Sequence, residues 1–236
     1  MPKKKKTPQP DDHRIRVGRE RRERMRKRLL IAVMSSYAQR KRHDTPVIDD
    51  VIREAEVSRA TFYSHFLSLE EAVNSLGQDL AEEMMHSLES LFQTSHTPLQ
   101  RLAIGPQLFL IRSVTDPMWG AFVSQTDYLS HDTYLRKTVA RDLVAAKELK
   151  LIEFTEIEAA TSFFVGALME AIRHLVKTDQ RSRAYVQELV VMILRGLGVE
   201  HASAKEVVKD RAIYIRGLAP DCLPWWQDPW RPALER

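Results

Sequence analysis

Apolar residues recur with a period near 3.6 along most of this chain, and strand-like alternation is scarce. Leu30, Val33, Met34, Tyr37 and Ala38 predict a helix over 19–42. Ile48, Val51, Ile52 and Ala55 predict a second helix, started by the hydroxyl of Thr45 and by Pro46 and ending near Glu56-Val57. Ser58 is placed to cap a short third helix through Ser64, with Phe62 and Phe66 four apart on its inner side. Ser68 caps a fourth helix, with Glu70 and Glu71 at and beside the capping-box position, and Val73, Leu76, Leu80, Met84, Leu88 and Leu91 carry it to about Thr94.

Further helices follow with short connections. Thr97-Pro98 and Asp116-Pro117 read as helix starts, and Gly105-Pro106 predicts a kink or break between them. A helix is expected over about 132–149. Thr155 and Glu158 predict a capping box for a long helix to about Lys177, apolar over much of its circumference. The next helix, about 183–197, ends at the 196–198 glycines, and 203–206 predicts the start of one more. Two adjacent helices with broad apolar faces suit either a monomer core or a surface shared with a second copy of the chain. The last 17 residues hold four prolines and three tryptophans, consistent with a tail packed on the body, packed on a partner, or disordered. The expected class is all-α.

Composition sharpens this. At 236 residues with 44% hydrophobic and 29% charged, the chain is ordinary for a globular protein. The single cysteine, Cys222, excludes an intrachain disulfide and a cysteine-based zinc site, and suits a reducing, cytoplasmic setting. The longest apolar runs, such as 162–169 and 189–194, are too short to cross a bilayer, and no apolar stretch follows the basic N-terminus as a secretory signal would require. The net charge of +4 conceals an asymmetry: residues 1–45 carry +11 and the remainder −7. A basic end on an acidic body suits a polyanion bound at that end. Residues 1–18, with Lys at 3–6, read as a disordered basic arm, placed to touch DNA phosphates or merely to be solvated.

Three helices within 19–66, the last two joined by a three- or four-residue turn, form a helix-turn-helix pattern. Ser58, Arg59, Ala60, Thr61 and Ser64 are small or hydrogen-bonding, which suits close approach to base edges. Arg59 is placed for guanine O6 and N7, Thr61 for a phosphate or a thymine methyl, and Tyr63 and His65 for phosphates. Thr45 offers a hydroxyl to a phosphate at the start of the second helix.

The stretch 51–66, VIREAEVSRATFYSHF, resembles the DNA-binding segment of the TetR (tetracycline-repressor-like) family of regulators. That pattern runs roughly I-A-x-x-A-G-V-S-x-x-T-hydrophobic-Y-x-H-F, then S-K-E-x-L. Ala55, Val57, Ser58, Thr61, Tyr63, His65, Phe66, Ser68 and Glu70 match it, over about residues 25–75. Four positions depart. Glu56 replaces a turn glycine, so the turn is expected to close without a left-handed residue there. Arg42 replaces a second glycine, Ile52 a small alanine, and Leu69 a lysine that often contacts phosphate. The resemblance implies a homodimer on a palindromic DNA operator, paired through the helices near 155–177 and 183–197. It implies repression relieved by a small molecule, largely apolar, that moves the two reading heads apart.

The implied domains are the arm 1–18, the DNA-binding domain 19–67, a helical ligand-binding and dimerisation domain 68–200, and a C-terminal helix with a Pro/Trp-rich tail over 201–236. Trp119, Phe122, Tyr128, Phe163, Phe164 and Met169 are candidate pocket residues in the region where the family builds its cavity. Glu170 and His174, four apart on one helix face, are candidates for a ligand or a metal ion, with an ion pair as the simpler reading. Glu82, Glu83 and His86 are set aside as a metal site for the same reason, and no cofactor is expected. No glycine-rich phosphate loop, nucleophile elbow or convincing metal pair points to an enzyme. A nonspecific nucleoid-type DNA-binding protein is the other alternative.

Overall fold

The computed structural model describes residues 10–39, 45–92, 96–126, 134–178 and 182–230, with side chains from Ile15 onward except that of Tyr134. Every regular element among them is an α-helix: α1 (Pro10–Ala38), α2 (Ile48–Glu54), α3 (Arg59–Tyr63), α4 (Leu69–Leu91), α5 (Pro98–Thr115), α6 (Pro117–Gln125), α7 (Tyr134–Glu148), α8 (Ile157–Thr178), α9 (Arg183–Gly196) and α10 (His201–Cys222). The chain divides into two units, Met1–Leu76 and Gly77–Arg236, with the division inside α4.

In the N-terminal unit α1 packs on α2, and Leu29, Leu30, Val33 and Tyr37 of α1 are buried together with Val51, Ala55, Phe62 and Phe66 as its core. Phe62 is fully buried, so Phe62→Ala is expected to cost about 3–5 kcal/mol. The Ser35 hydroxyl donates to the Glu54 carboxylate at 2.8 Å, tying the end of α1 to the end of α2.

α1 begins at Pro10, nine residues earlier than the periodicity indicates, so 10–18 is helix rather than disordered arm. Proline at the helix start followed by Asp11 and Asp12 is a helix-starting signal that apolar spacing does not register. The lysines at 3–6 and Arg42 lie outside the described residues. α2 also starts later than predicted. Thr45 and Pro46 precede it, Val47 is the residue before the first turn, and the Asp50 carboxylate accepts from the Val47 N–H at 2.9 Å.

In the C-terminal unit α5 is the central helix, buried along nearly its whole length and packed against α6, α7, α8, α9 and α10. Its start is as the sequence indicates: Thr97 and Gln100 cap each other's backbone N–H. The expected break at Gly105-Pro106 does not occur, for α5 runs through Pro106. Packing around α5 offsets the one helical hydrogen bond that proline removes.

Two caps lie elsewhere than predicted. Glu156, not Thr155, caps α8, its carboxylate accepting from Glu158 and Ala159. Glu200, not Ser203, caps α10 by accepting from the Ser203 N–H. Both carboxylates are held below the usual Glu range chiefly by backbone hydrogen bonds, Glu156 by those of Glu158 and Ala159 and Glu200 by those of Ala202 and then Ser203. α8 has the length and hydropathy of a membrane span, a feature that counting uninterrupted runs misses, yet half of that stretch is buried inside the protein.

The tryptophan-rich segment packs on its own body. The Trp225 indole N–H donates to the Ser87 hydroxyl at 3.0 Å, and the Arg112 guanidinium lies between Trp119 and Trp225, 5.1 and 4.8 Å from their ring centres. Arg112 is almost fully buried and pairs with Glu83 at 2.7 Å.

Candidate functional site

The turn between α2 and α3 closes by a two-bond helix stop. The Val57 N–H donates to the Ile52 carbonyl at 3.0 Å and the Glu56 N–H to the Arg53 carbonyl at 3.1 Å. This geometry needs a left-handed residue, and Glu56 adopts it, with φ of 50°. The sequence expectation of a turn without that conformation is therefore corrected. Hydrogen bonding fixes the turn whatever the side chain, and Arg28 of α1 pairs with the displaced Glu56 carboxylate at 3.0 Å.

α3 follows at once. The Ser58 hydroxyl accepts from the Thr61 N–H at 3.1 Å and lies 2.9 Å from the Thr61 hydroxyl. With Phe62 driven inward, Arg59, Ala60, Tyr63 and Ser64 are exposed, and Thr61 and His65 are half-buried. The structure thus brings seven of the eight candidate DNA-contact residues onto one short segment. Thr45 is exposed ahead of α2.

Two side chains there are less simple than the sequence suggests. The Arg59 guanidinium is hydrogen-bonded to the Asp49 carboxylate of α2, and that bond, with the attraction between the charges, raises the Arg59 pKa. His65 has its pKa lowered, by burial first and then by Arg22 and Arg26, with Glu23 opposing. It is therefore a neutral hydrogen-bonding group near pH 7. α1 also reaches this region: Arg26 lies over the Phe66 ring at 5.9 Å. Periodicity gives no sign of Asp49 or Arg28, because their partners lie on other elements, Arg59 on α3 and Glu56 in the turn before it.

In the helical body a cavity of about 40 Å³ lies among α4, α5, α7 and α8. Of the candidate pocket residues, Phe164 borders it. Trp119 and Phe122 are fully buried on α6, Met169 is buried, and Phe163 is 45% exposed; none of these four lines the cavity. Tyr128 lies outside the described residues. Glu170 pairs with Arg173 at 3.1 Å, while the His174 ring stacks on Tyr185. No group of three or more metal-ligating side chains occurs among the described residues.

Sequence reasoning missed the polar edge of the cavity. Arg101 of α5 grips Asp142 of α7 through two hydrogen bonds of 2.8 and 3.0 Å and donates a third to the His96 carbonyl at 2.9 Å. The two residues are 41 positions apart on different helices, so no local pattern links them.

Residues 97–210 match the family model described as the tetracyclin repressor-like C-terminal domain. A search of curated protein sequences returned no match. Among solved structures, RolR in complex with resorcinol is similar, at 24% identity and TM-score 0.61 over 80% of this chain and 95% of that one. An ArpA-like γ-butyrolactone receptor aligns at 14% identity and TM-score 0.60, over 84% of this chain and 99% of that one. A TetR-family transcriptional regulator from Pectobacterium atrosepticum aligns at 18% identity and TM-score 0.53, over 76% and 96%. These structural likenesses are likenesses of fold. The chain thus carries a tetracyclin repressor-like C-terminal domain over 97–210, preceded by a Ser58-capped helix-turn-helix, the arrangement of TetR-family DNA-binding transcriptional regulators.

Proposed function

We propose that the protein is a homodimeric repressor that reads an inverted-repeat operator through α3 and is released by a small molecule bound in its helical body. The observation that carries this reading is the presentation of α3: Phe62 is buried while Arg59, Ala60, Tyr63 and Ser64 face solvent. Arg59 reads a guanine once it exchanges Asp49 for the base edge. Ser58, Thr61, Tyr63, His65 and Thr45 position the head on phosphates, with Ala60 and Ser64 small enough to let it approach.

Dimerisation through α8 and α9 is supported by their uncovered apolar positions. Phe163 and Met192 are 45% and 58% exposed, and a Cβ at Gly166 would meet nothing within 4 Å. Pairing these faces sets two reading heads on one duplex, in major grooves about 34–36 Å apart. RolR was solved with resorcinol, and another structural neighbour is a γ-butyrolactone receptor, which supports a compact, largely apolar effector here. A cytoplasmic location follows from this role.

Selection from random-sequence DNA with the purified protein tests the reading. It should enrich an inverted repeat whose half-sites lie about one helical turn apart or a multiple of it. Enrichment of no motif would favour a nonspecific, nucleoid-type binder.

A further inference from the structure

Gly105 stands in the middle of α5, where glycine is the poorest helix former after proline. Packing does not call for it: a Cβ built there would meet nothing within 4 Å. Gly105 borders the cavity, so its missing side chain keeps space open. Its neighbour Pro106 has no N–H, which deprives the Leu102 carbonyl of its usual helical donor four residues on. Leu102 and Pro106 both line the same cavity.

The other walls limit what can enter. Phe92, Phe109 and Phe164 supply three aromatic surfaces. The charged edge is already neutralised, because Asp142 takes two hydrogen bonds from Arg101. An anionic ligand would meet the Asp142 carboxylate, and Arg101, the cation among the described lining residues, is already committed to that carboxylate. The Asp142 carboxylate and the Leu102 carbonyl, on residues that line the cavity, are acceptors and instead suit a ligand that donates a hydrogen bond.

We infer that this cavity takes a single uncharged ring bearing a hydroxyl, a simple phenol, seated over the Gly105 backbone with its O–H directed to Asp142 or the Leu102 carbonyl. This rests on the reading of the helical body as the effector-binding part. The space is about 40 Å³ in this structure, whereas an engineered cavity that binds benzene measures about 150 Å³. The ligand therefore selects an expanded form of the body, and that expansion is the conformational change on which an effector depends.

Thermal unfolding of the full chain with phenol, benzoate or octanoate tests this. Phenol at about 100 times its Kd should raise Tm by roughly 5–10 °C, while benzoate and octanoate at equal concentration should shift it far less. Gly105→Ala, whose methyl enters open space, should fold with an unchanged or higher Tm and bind phenol at least about tenfold more weakly. No shift with phenol, an equal or larger shift with either anion, or undiminished phenol binding by Gly105→Ala would overturn the inference. Specific DNA binding measured on the same preparation separates the two readings. If it persists without any phenol effect, the ligand class is wrong and the regulator stands. If it is missing while phenol binds and Gly105→Ala blocks it, the cavity inference stands and the regulator reading falls.

Discussion

Arg28 of α1 pairs with Glu56 at 3.0 Å, and Glu56 is the residue that takes a left-handed φ of 50° to close the turn before α3. The ion pair is exposed, Glu56 being 84% and Arg28 48% accessible, so it contributes less than about 1 kcal/mol. A side chain in the left-handed region costs about the same or more. Glu56→Gly should therefore be more stable than Glu56→Ala by about 1 kcal/mol in urea unfolding, since both lose the ion pair and only glycine loses the strain. An alanine variant as stable as the glycine variant would show that the turn is not strained.

The Arg59–Asp49 hydrogen bond sets up a competition between the protein's own carboxylate and DNA. Arg59→Ala should weaken operator binding roughly 5- to 150-fold and relax the preference at one base pair. Asp49→Asn should tighten binding, because it frees the guanidinium and removes a negative charge near the phosphates. Fluorescence anisotropy titrations report both. Weaker binding by Asp49→Asn would mean that Asp49 holds Arg59 in the reading position.

His65 links the head to pH. Its pKa is ordinary, near 6.5, in the unfolded chain and lowered in the fold by burial, Arg22 and Arg26. Between those two values the unfolded chain binds more protons, so stability falls as pH drops from about 6.5 towards the folded value and then levels. His65→Gln should flatten that part of the stability–pH curve relative to the wild type. Identical slopes for the two proteins would contradict the assignment. His96, lowered by its own burial and by Arg211, keeps its contribution in both.

Much of this was legible in the residues. Ser58, Thr97, Asp116 and Ser182 each accept from the backbone N–H three residues on. The first three were signalled by a hydroxyl or carboxylate directly before a helical pattern. Glu156 and Glu200 escaped notice because glutamate is an unusual cap and a more typical residue stood nearby. Glu56 escaped because the turn's backbone hydrogen bonds outweigh a local conformational preference. The cavity edge formed by Arg101 and Asp142, and the stacking of Arg112 between two tryptophans, arise from tertiary packing, which periodicity does not encode.

That stacking has a measurable consequence. Trp225→Ala removes a cation–π contact to Arg112, the hydrogen bond to Ser87 and buried ring surface. Stability in urea should fall by about 2–4 kcal/mol. A loss below about 0.5 kcal/mol would show that the tail adds little to the body it covers.

The central claim is sequence-specific DNA binding through α3. The most direct measurement is the affinity of the purified protein for the inverted repeat it selects against a scrambled duplex of the same length, near 150 mM salt. A preference of about 10³-fold or more, reduced roughly 5- to 150-fold in Arg59→Ala, is the predicted result. Equal affinity for the two duplexes would contradict the account.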